Sequence, residues 1–219
     1  MIVIASHNRI DLLDNMLKTL SSINLNNNQV LIIDTNSDNE EYKTFFEECK
    51  LNYPQYIFET LDYTCWDSGA YIYAYNNYPS NKYIFLQDSL NITNPKLILM
   101  WENFLDIYEV VPWINFGYFY ENEDQRLWGE EGLTINNNPH DSIFGPIFGV
   151  RKETLDKLPK EWLKYPTNKN EGCGMERRWS LMFHLIDASK HYLEYTNFSK
   201  NQTVYNSKLN IDKHFFYRL

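Results

Sequence analysis

The chain has 219 residues, 16% of them aromatic, and carries Lys+Arg 20 against Asp+Glu 29 for a formal net charge of -9. That size and apolar content build one large domain with a real core and exclude wholesale disorder. The acidic balance argues against a nucleic-acid surface, which needs a basic face, but a local cation cluster or a divalent metal suffices for a small anion.

In chain order, MIVIAS reads as an apolar strand broken by SHNR. IDLLDNMLKTLSSI then sets Leu12, Leu13, Met16, Leu17 and Leu20 at helical spacing, with Asn8 or Asp11 as candidate caps. QVLIIDTNSDN repeats the theme, with a buried strand over Val30 to Ile33 and a polar loop Asp34-Thr35-Asn36-Ser37 after it. EEYKTFFEECKL is a second helix, YIFETLD a third strand, TCWDSGAYIYAYNNY a loop running into a helix, and KYIFLQDS a fourth strand. This alternation predicts an α/β fold with a mostly parallel central sheet and helices on both faces.

After Asn94-Pro95 the alternation stops. KLILMWENFLDIYEV reads as a helix, VPWINFGYFY as an aromatic strand, and ENEDQRLWGEEGLTINNNPHDS as an acidic loop. IFGPIFGV is a strand broken by Gly and Pro, RKETLDKL a short helix, and GCGMERRWSLMFHLIDAS an amphipathic helix before the tail NIDKHFFYRL. The division is therefore 1–95 and a less regular half over 96–219, inside one domain.

Cys49, Cys65 and Cys173 are odd in number and widely spaced, which fits buried thiols rather than a zinc motif or a disulfide framework. MIVIASHNR has no basic stretch ahead of its apolar run and does not read as a signal peptide. No run approaches the roughly 20 apolar residues of a membrane span. The expected location is the cytoplasm, without a membrane span, and oligomeric state is left open.

Each of the first four strands ends in a polar cluster: SHNR, DTNS, TCWDSG and QDS. In a parallel α/β sheet these ends share one edge, where ligands bind. In YIFLQDSLNI the single carboxylate, Asp88, stands at that edge after an apolar run.

The order SHNR, LIIDTNS, WDSGA, FLQDS resembles the GT-A nucleotide-sugar glycosyltransferases, above all the large family 2 group. Within it the chain is most similar to the rhamnan-synthesis protein F branch, through Asp67-Ser68-Gly69-Ala70, Gln87-Asp88-Ser89 and His140-Asp141-Ser142 in that order. The resemblance covers roughly residues 1 to 190. It implies a GT-A, Rossmann-like fold in which 1–95 binds the nucleotide sugar and 96–219 the acceptor. It departs at Gln87-Asp88-Ser89, which has one carboxylate where the common pattern has two.

On that reading, a UDP-, dTDP- or GDP-linked sugar leaves as a nucleoside diphosphate, and the developing charge needs an offset. Mg²⁺ or Mn²⁺ supplies it with few protein ligands, because the diphosphate and water complete the octahedron. Asp88 and His214 are the candidate metal ligands. Asp34 is a candidate acceptor for a pyrimidine N3–H, or else a helix cap. Ser6, His7, Asn8, Arg9, Asn36, Trp66, Asp67, Gly69, Gln87 and Ser89 complete the candidate donor site, Gly69 by allowing close backbone approach. An inverting transfer needs a base for the acceptor hydroxyl, and Glu176 is the candidate, with Glu130 and Glu131 as rivals. Arg177, Arg178 and Lys213 either bind phosphate or pair with acids, while Trp101, Trp113, Trp128 and Trp179 are either core or a sugar platform.

Two other functions compete. A non-catalytic sugar-nucleotide or glycan-binding domain would keep the rim and lose the chemistry. A nucleotidyltransferase would place a Gly-rich basic loop after the first strand, and SHNRIDLLDN has no glycine.

Overall fold

The computed structural model describes residues 1–25, 28–92, 96–113, 123–133, 142–143 and 145–193, with the backbone alone of 204–206 and 211–213. β1 (Ile2–Ser6), β2 (Val30–Asp34), β3 (Ile57–Thr60) and β4 (Lys82–Gln87) run parallel to their neighbours in the order β3-β2-β1-β4. β6 (Val110–Pro112) and β7 (Phe148–Arg151) extend this six-stranded sheet, β7 antiparallel to β4 and β6 antiparallel to β7. The two expected halves therefore share one sheet.

Side-chain alternation divides the core into two layers. Ile2, Ile4, Val30, Ile32, Ile84 and Leu86 face α1 (Ile10–Ser21), α2 (Glu40–Asn52) and α4 (Lys96–Leu105). Val3, Ala5, Leu31, Ile33, Tyr83 and Phe85 face α3 (Trp66–Asn77) and α7 (Lys169–Leu185). In α1 the buried residues are Leu13, Met16, Leu17 and Leu20, each stabilising the fold by roughly 2 kcal/mol relative to exposure. Cys49 and Cys65 are buried thiols, as expected, whereas Cys173 is only partly buried. Among the described residues no helix is long and apolar enough to cross a membrane.

Several local expectations are corrected. Neither Asn8 nor Asp11 caps α1: its N-cap is Arg9, whose side chain does not cap the helix, and Asp11 lies in the first turn, where a carboxylate favours the helix dipole. Nor does Asp34 cap α2, because Asn39 accepts from the Tyr42 amide there. The acidic stretch read as a loop contains α5 (Glu123–Glu130), held by Arg126 pairing with Glu123 and Glu130 one turn away on either side. α7 begins at Lys169, capped by Asn168, so Glu176 lies near its middle rather than at its start. Of the aromatic stretch, Val110–Pro112 is a strand, and 114–122 lie outside the described residues.

A second, three-stranded sheet joins β5 (Leu90–Ile92), β8 (Val204–Asn206) and β9 (Ile211–Lys213) in the order β5-β9-β8. Its register sets Lys213 opposite Leu90, two residues beyond Asp88.

Candidate active site

Strand register brings the polar ends level. Ser6 pairs with Asp34, Asp34 with Thr60, and Ala5 with Gln87. The ladder continues past them: Thr35 N–H donates to Ser6 O, Leu61 N–H to Asp34 O and Asp88 N–H to Ala5 O, at 3.0, 2.9 and 3.0 Å. Alternation then sorts the side chains. Ser6, Asp34 and Asp88 follow the parity of the α1/α2 face, whereas Gln87 follows the parity of the α3 face.

Asp88 is 7% exposed, and among the described residues its side-chain hydrogen bonds fall on Oδ2, which accepts from Ser6 Oγ at 2.8 Å and from the His7 amide at 3.2 Å. Ser6 Oγ in turn accepts from the buried Tyr42 hydroxyl at 2.7 Å. Burial pushes the Asp88 carboxyl up to about 7; the Ser6 hydrogen bond opposes this, and the Asp67 charge adds to it. A carboxylate in that condition is short of positive charge.

The β1 and β2 loops are tied together. His7 Nδ1–H donates to Thr35 O at 3.2 Å, which leaves Nε2 to accept from Asn8 Nδ2 at 3.1 Å. Asn8 also donates to Asp38 at 2.6 Å, accepts from the Asn39 amide at 3.1 Å, and gives its own amide to Ser37 Oγ at 2.9 Å. Asp34 Oδ1 accepts from the Ser37 amide and hydroxyl at 3.1 and 2.6 Å, so one of its oxygens holds its own loop. Asn8 (φ 55°) and Asn36 (φ 62°) are left-handed, which Asn tolerates. His7 and Arg9 are exposed, and the Arg9 charge reaches Asp88.

On the α3 side, Gln87 Nε2 donates to Asp67 Oδ2, and Ser89 Oγ donates to Gln87 Oε1 at 3.3 Å. Gln87 is thus hydrogen-bonded to a carboxylate from another loop. Trp66 has φ 49°, a strained state for a bulky residue, and strain of this kind clusters at functional rims. Its indole leaves no room on α7: a Cβ at Gly172 would lie 2.9 Å from Trp66 Cγ. The space a Cβ would need at Gly69 is filled by Cys65, 2.3 Å away, so this glycine serves close packing within the first turn of α3.

Glu176, half-buried, shares an α7 face with Gly172, which meets Trp66, and with Trp179, whose Nε1–H donates to Ser68 Oγ at 3.0 Å. That face looks toward the helix carrying Asp67. Glu130 accepts from Arg126 at 2.6 Å and pairs with the buried Arg177 at 2.5 Å, while the exposed Glu131 pairs with Lys164 at 2.9 Å. Arg178 is fully buried and donates to the carbonyls of Trp162 and Glu131, each at 2.8 Å. Arg177 ties α7 to α5, and Arg178 ties it to the turn after α5 and to Trp162. Trp101, Trp113 and Trp179 are buried in the core.

His214, His140 and Asp141 lie outside the described residues, as does the side chain of Lys213. Among the described residues no group of three or more His, Cys, Asp and Glu could hold a metal ion. The donor set at the rim is Asp88, with Asp67 beside it. That fits a cation whose remaining ligands come from a diphosphate and water. Sequence reasoning missed Tyr42, Thr35 and Ser37 as supports of the rim; the spacing of Tyr42 with Phe46 in α2 signals only a core tyrosine.

No family model and no curated protein matches the sequence. Solved structures match its fold. S. aureus TarS 1-349 in complex with UDP-GlcNAc superimposes at TM-score 0.52 with 11% identity, over 92% of this chain and 59% of that one. The mannosyltransferase PcManGT from Pyrobaculum calidifontis, in complex with GDP-Man and Mn²⁺, gives TM-score 0.58 with 9% identity, over 91% of this chain and 57% of that one. The chain thus spans somewhat over half the length of the proteins it matches. With its mostly parallel sheet and polar strand-end rim, it has the GT-A fold of the nucleotide-sugar glycosyltransferases.

Proposed function

We propose that this chain is a glycosyltransferase that moves a sugar from a nucleoside-diphosphate sugar to an acceptor hydroxyl, with inversion and with the help of a divalent metal. The observation that carries the reading is Asp88, a buried carboxylate at the meeting of the β1, β2 and α3 loops, tied through one oxygen to Ser6 and the His7 amide.

Asp88 would hold the cation. His214 is the second candidate ligand, and β9 ends one residue before it, at Lys213, opposite Leu90. Bound there, the metal would act as a Lewis acid on the departing diphosphate. The β1 loop, with Ser6, His7, Asn8 and Arg9, lines the nucleotide, with the Asn36 loop beside it. Asp34 would address the base through the oxygen that Ser37 does not use. Trp66 and Asp67 would contact the ribose or sugar, with Gln87 and Ser89 fixing the Asp67 carboxylate. Glu176 on α7 would take the proton from the acceptor hydroxyl as it attacks the anomeric carbon. Glu130 and Glu131 remain the rivals for that role, although their partners Arg177 and Lys164 would have to yield.

The test is release of nucleoside diphosphate from a panel of UDP-, dTDP- and GDP-sugars, with Mg²⁺ or Mn²⁺ and after chelation. Turnover with at least one donor is expected, lost on chelation and reduced at least a hundredfold in Asp88→Ala. Absence of hydrolysis and transfer with every donor would overturn the reading. A second reading, a non-catalytic nucleotide-sugar or glycan binder, is favoured by Gln87-Asp88-Ser89 having one carboxylate where the common motif has two. It predicts that Asp88→Ala keeps nucleotide affinity and that binding ignores metal.

A further inference from the structure

Tyr42 is placed in α2 as a core residue. Its ring is buried and stacked on Phe46, with centroids 5.8 Å apart. Its hydroxyl, however, points out of the apolar layer and donates to Ser6 Oγ at 2.7 Å, while Ser6 Oγ donates to Asp88 Oδ2 at 2.8 Å. All of these groups are buried, so water does not compete for them. The order of protons in this chain is forced. An ionised carboxylate only accepts, and a serine hydroxyl has one proton, which must go to Asp88. The phenol gives its own proton to Ser6 Oγ, which polarises the serine hydroxyl and strengthens its bond to Asp88. Among the described residues Asp88 Oδ1 takes no hydrogen bond.

We propose that Tyr42 is a positioning residue for the diphosphate site: by committing the Ser6 proton to Asp88 Oδ2, it fixes the carboxylate plane and reserves Oδ1 for the cation. This rests on the reading of Asp88 as the metal ligand. A tyrosine that merely satisfied its own hydroxyl would affect folding and nothing else. Outer hydrogen bonds of this kind commonly change metal affinity about tenfold or more.

The experiment measures, on the full chain, the Mn²⁺ concentration that half-saturates UDP or GDP binding. It compares wild type, Tyr42→Phe, Ser6→Ala and the double variant, with a thermal melt of each. Tyr42→Phe keeps the ring and removes only the hydroxyl. The expected result is a rise of about tenfold in half-saturating Mn²⁺ for Tyr42→Phe, and no further rise when it is added to Ser6→Ala. Multiplying effects in the double variant, an unchanged Mn²⁺ requirement, or a melt showing that Tyr42→Phe is unfolded would each overturn the proposal. Asp88→Asn separates the levels. If it abolishes Mn²⁺ dependence and Tyr42→Phe does not change it, the relay alone fails; if Asp88→Asn has no effect, the relay and the metal site fall together.

Discussion

Asp88 faces two opposing demands, burial and charge. Its carboxyl sits up near 7 because burial disfavours the anion more than the Ser6 and His7 hydrogen bonds favour it. In the unfolded chain it would titrate near the ordinary aspartate value of about 3.9. The folded state therefore holds the extra proton between those limits, and metal-free stability from this group is fully present below the lower value and lost as pH rises through about 7. Asp88→Asn keeps acceptors for Ser6 and His7 and removes the charge. Without metal it should melt a few degrees above wild type at pH 8, with the gap closing toward pH 4. Parallel melting curves across that range would remove this account. At this scale the sequence was legible where chemistry was isolated, as in the lone carboxylate of YIFLQDS. It was opaque where a role depends on direction. Tyr42 has the helical spacing of any core aromatic, and nothing in WDSG announces a left-handed tryptophan.

Among the elements, the pairing of α5 with α7 departs furthest from expectation. Gly129 and Gly174 let the two helices touch backbone to backbone: a Cβ at Gly174 would lie 2.7 Å from Gln125 O, and one at Gly129 2.7 Å from Gly174 O. Gly129 of WGEEG and Gly174 of GCGM, in segments read as a loop and as a helix start, are there for contact between helices. Gly174→Ala meets backbone rather than a movable side chain, so it should destabilise the fold by about 1–3 kcal/mol, read as a lower urea midpoint at unchanged slope. A neutral or stabilising result would mean that the helices can separate without loss. The strands and α1 to α3 were legible because their apolar periods are strong. α5 was not, since Glu, Asp, Gln and Arg give little apolar period and its helix is fixed by ion pairs and by α7.

For the whole molecule, the β-α alternation and polar strand ends were enough to predict a mostly parallel α/β sheet with a polar edge, and the resemblance of SHNR, LIIDTNS, WDSGA and FLQDS to a known family implied its GT-A form, whereas the antiparallel return of β7 beside β4 left no local mark in its Gly- and Pro-containing segment. That return has a consequence for how the chain can be divided. Residues 1–95 taken alone would end the sheet at β4, leaving the backbone groups that β7 satisfies unpaired and uncovering Tyr83 and Phe85, which are fully buried here. An open apolar edge of that kind recruits other chains. Expressed by itself, the fragment should collect in inclusion bodies, and supplying 96–219 in the same cell should rescue it into solution; a well-behaved monomeric fragment would show that β4 tolerates solvent. The polar rim and α7 are in this sense products of one cooperative folding event, and a recombination strategy that swaps C-terminal halves between such folds must carry β7 along with them.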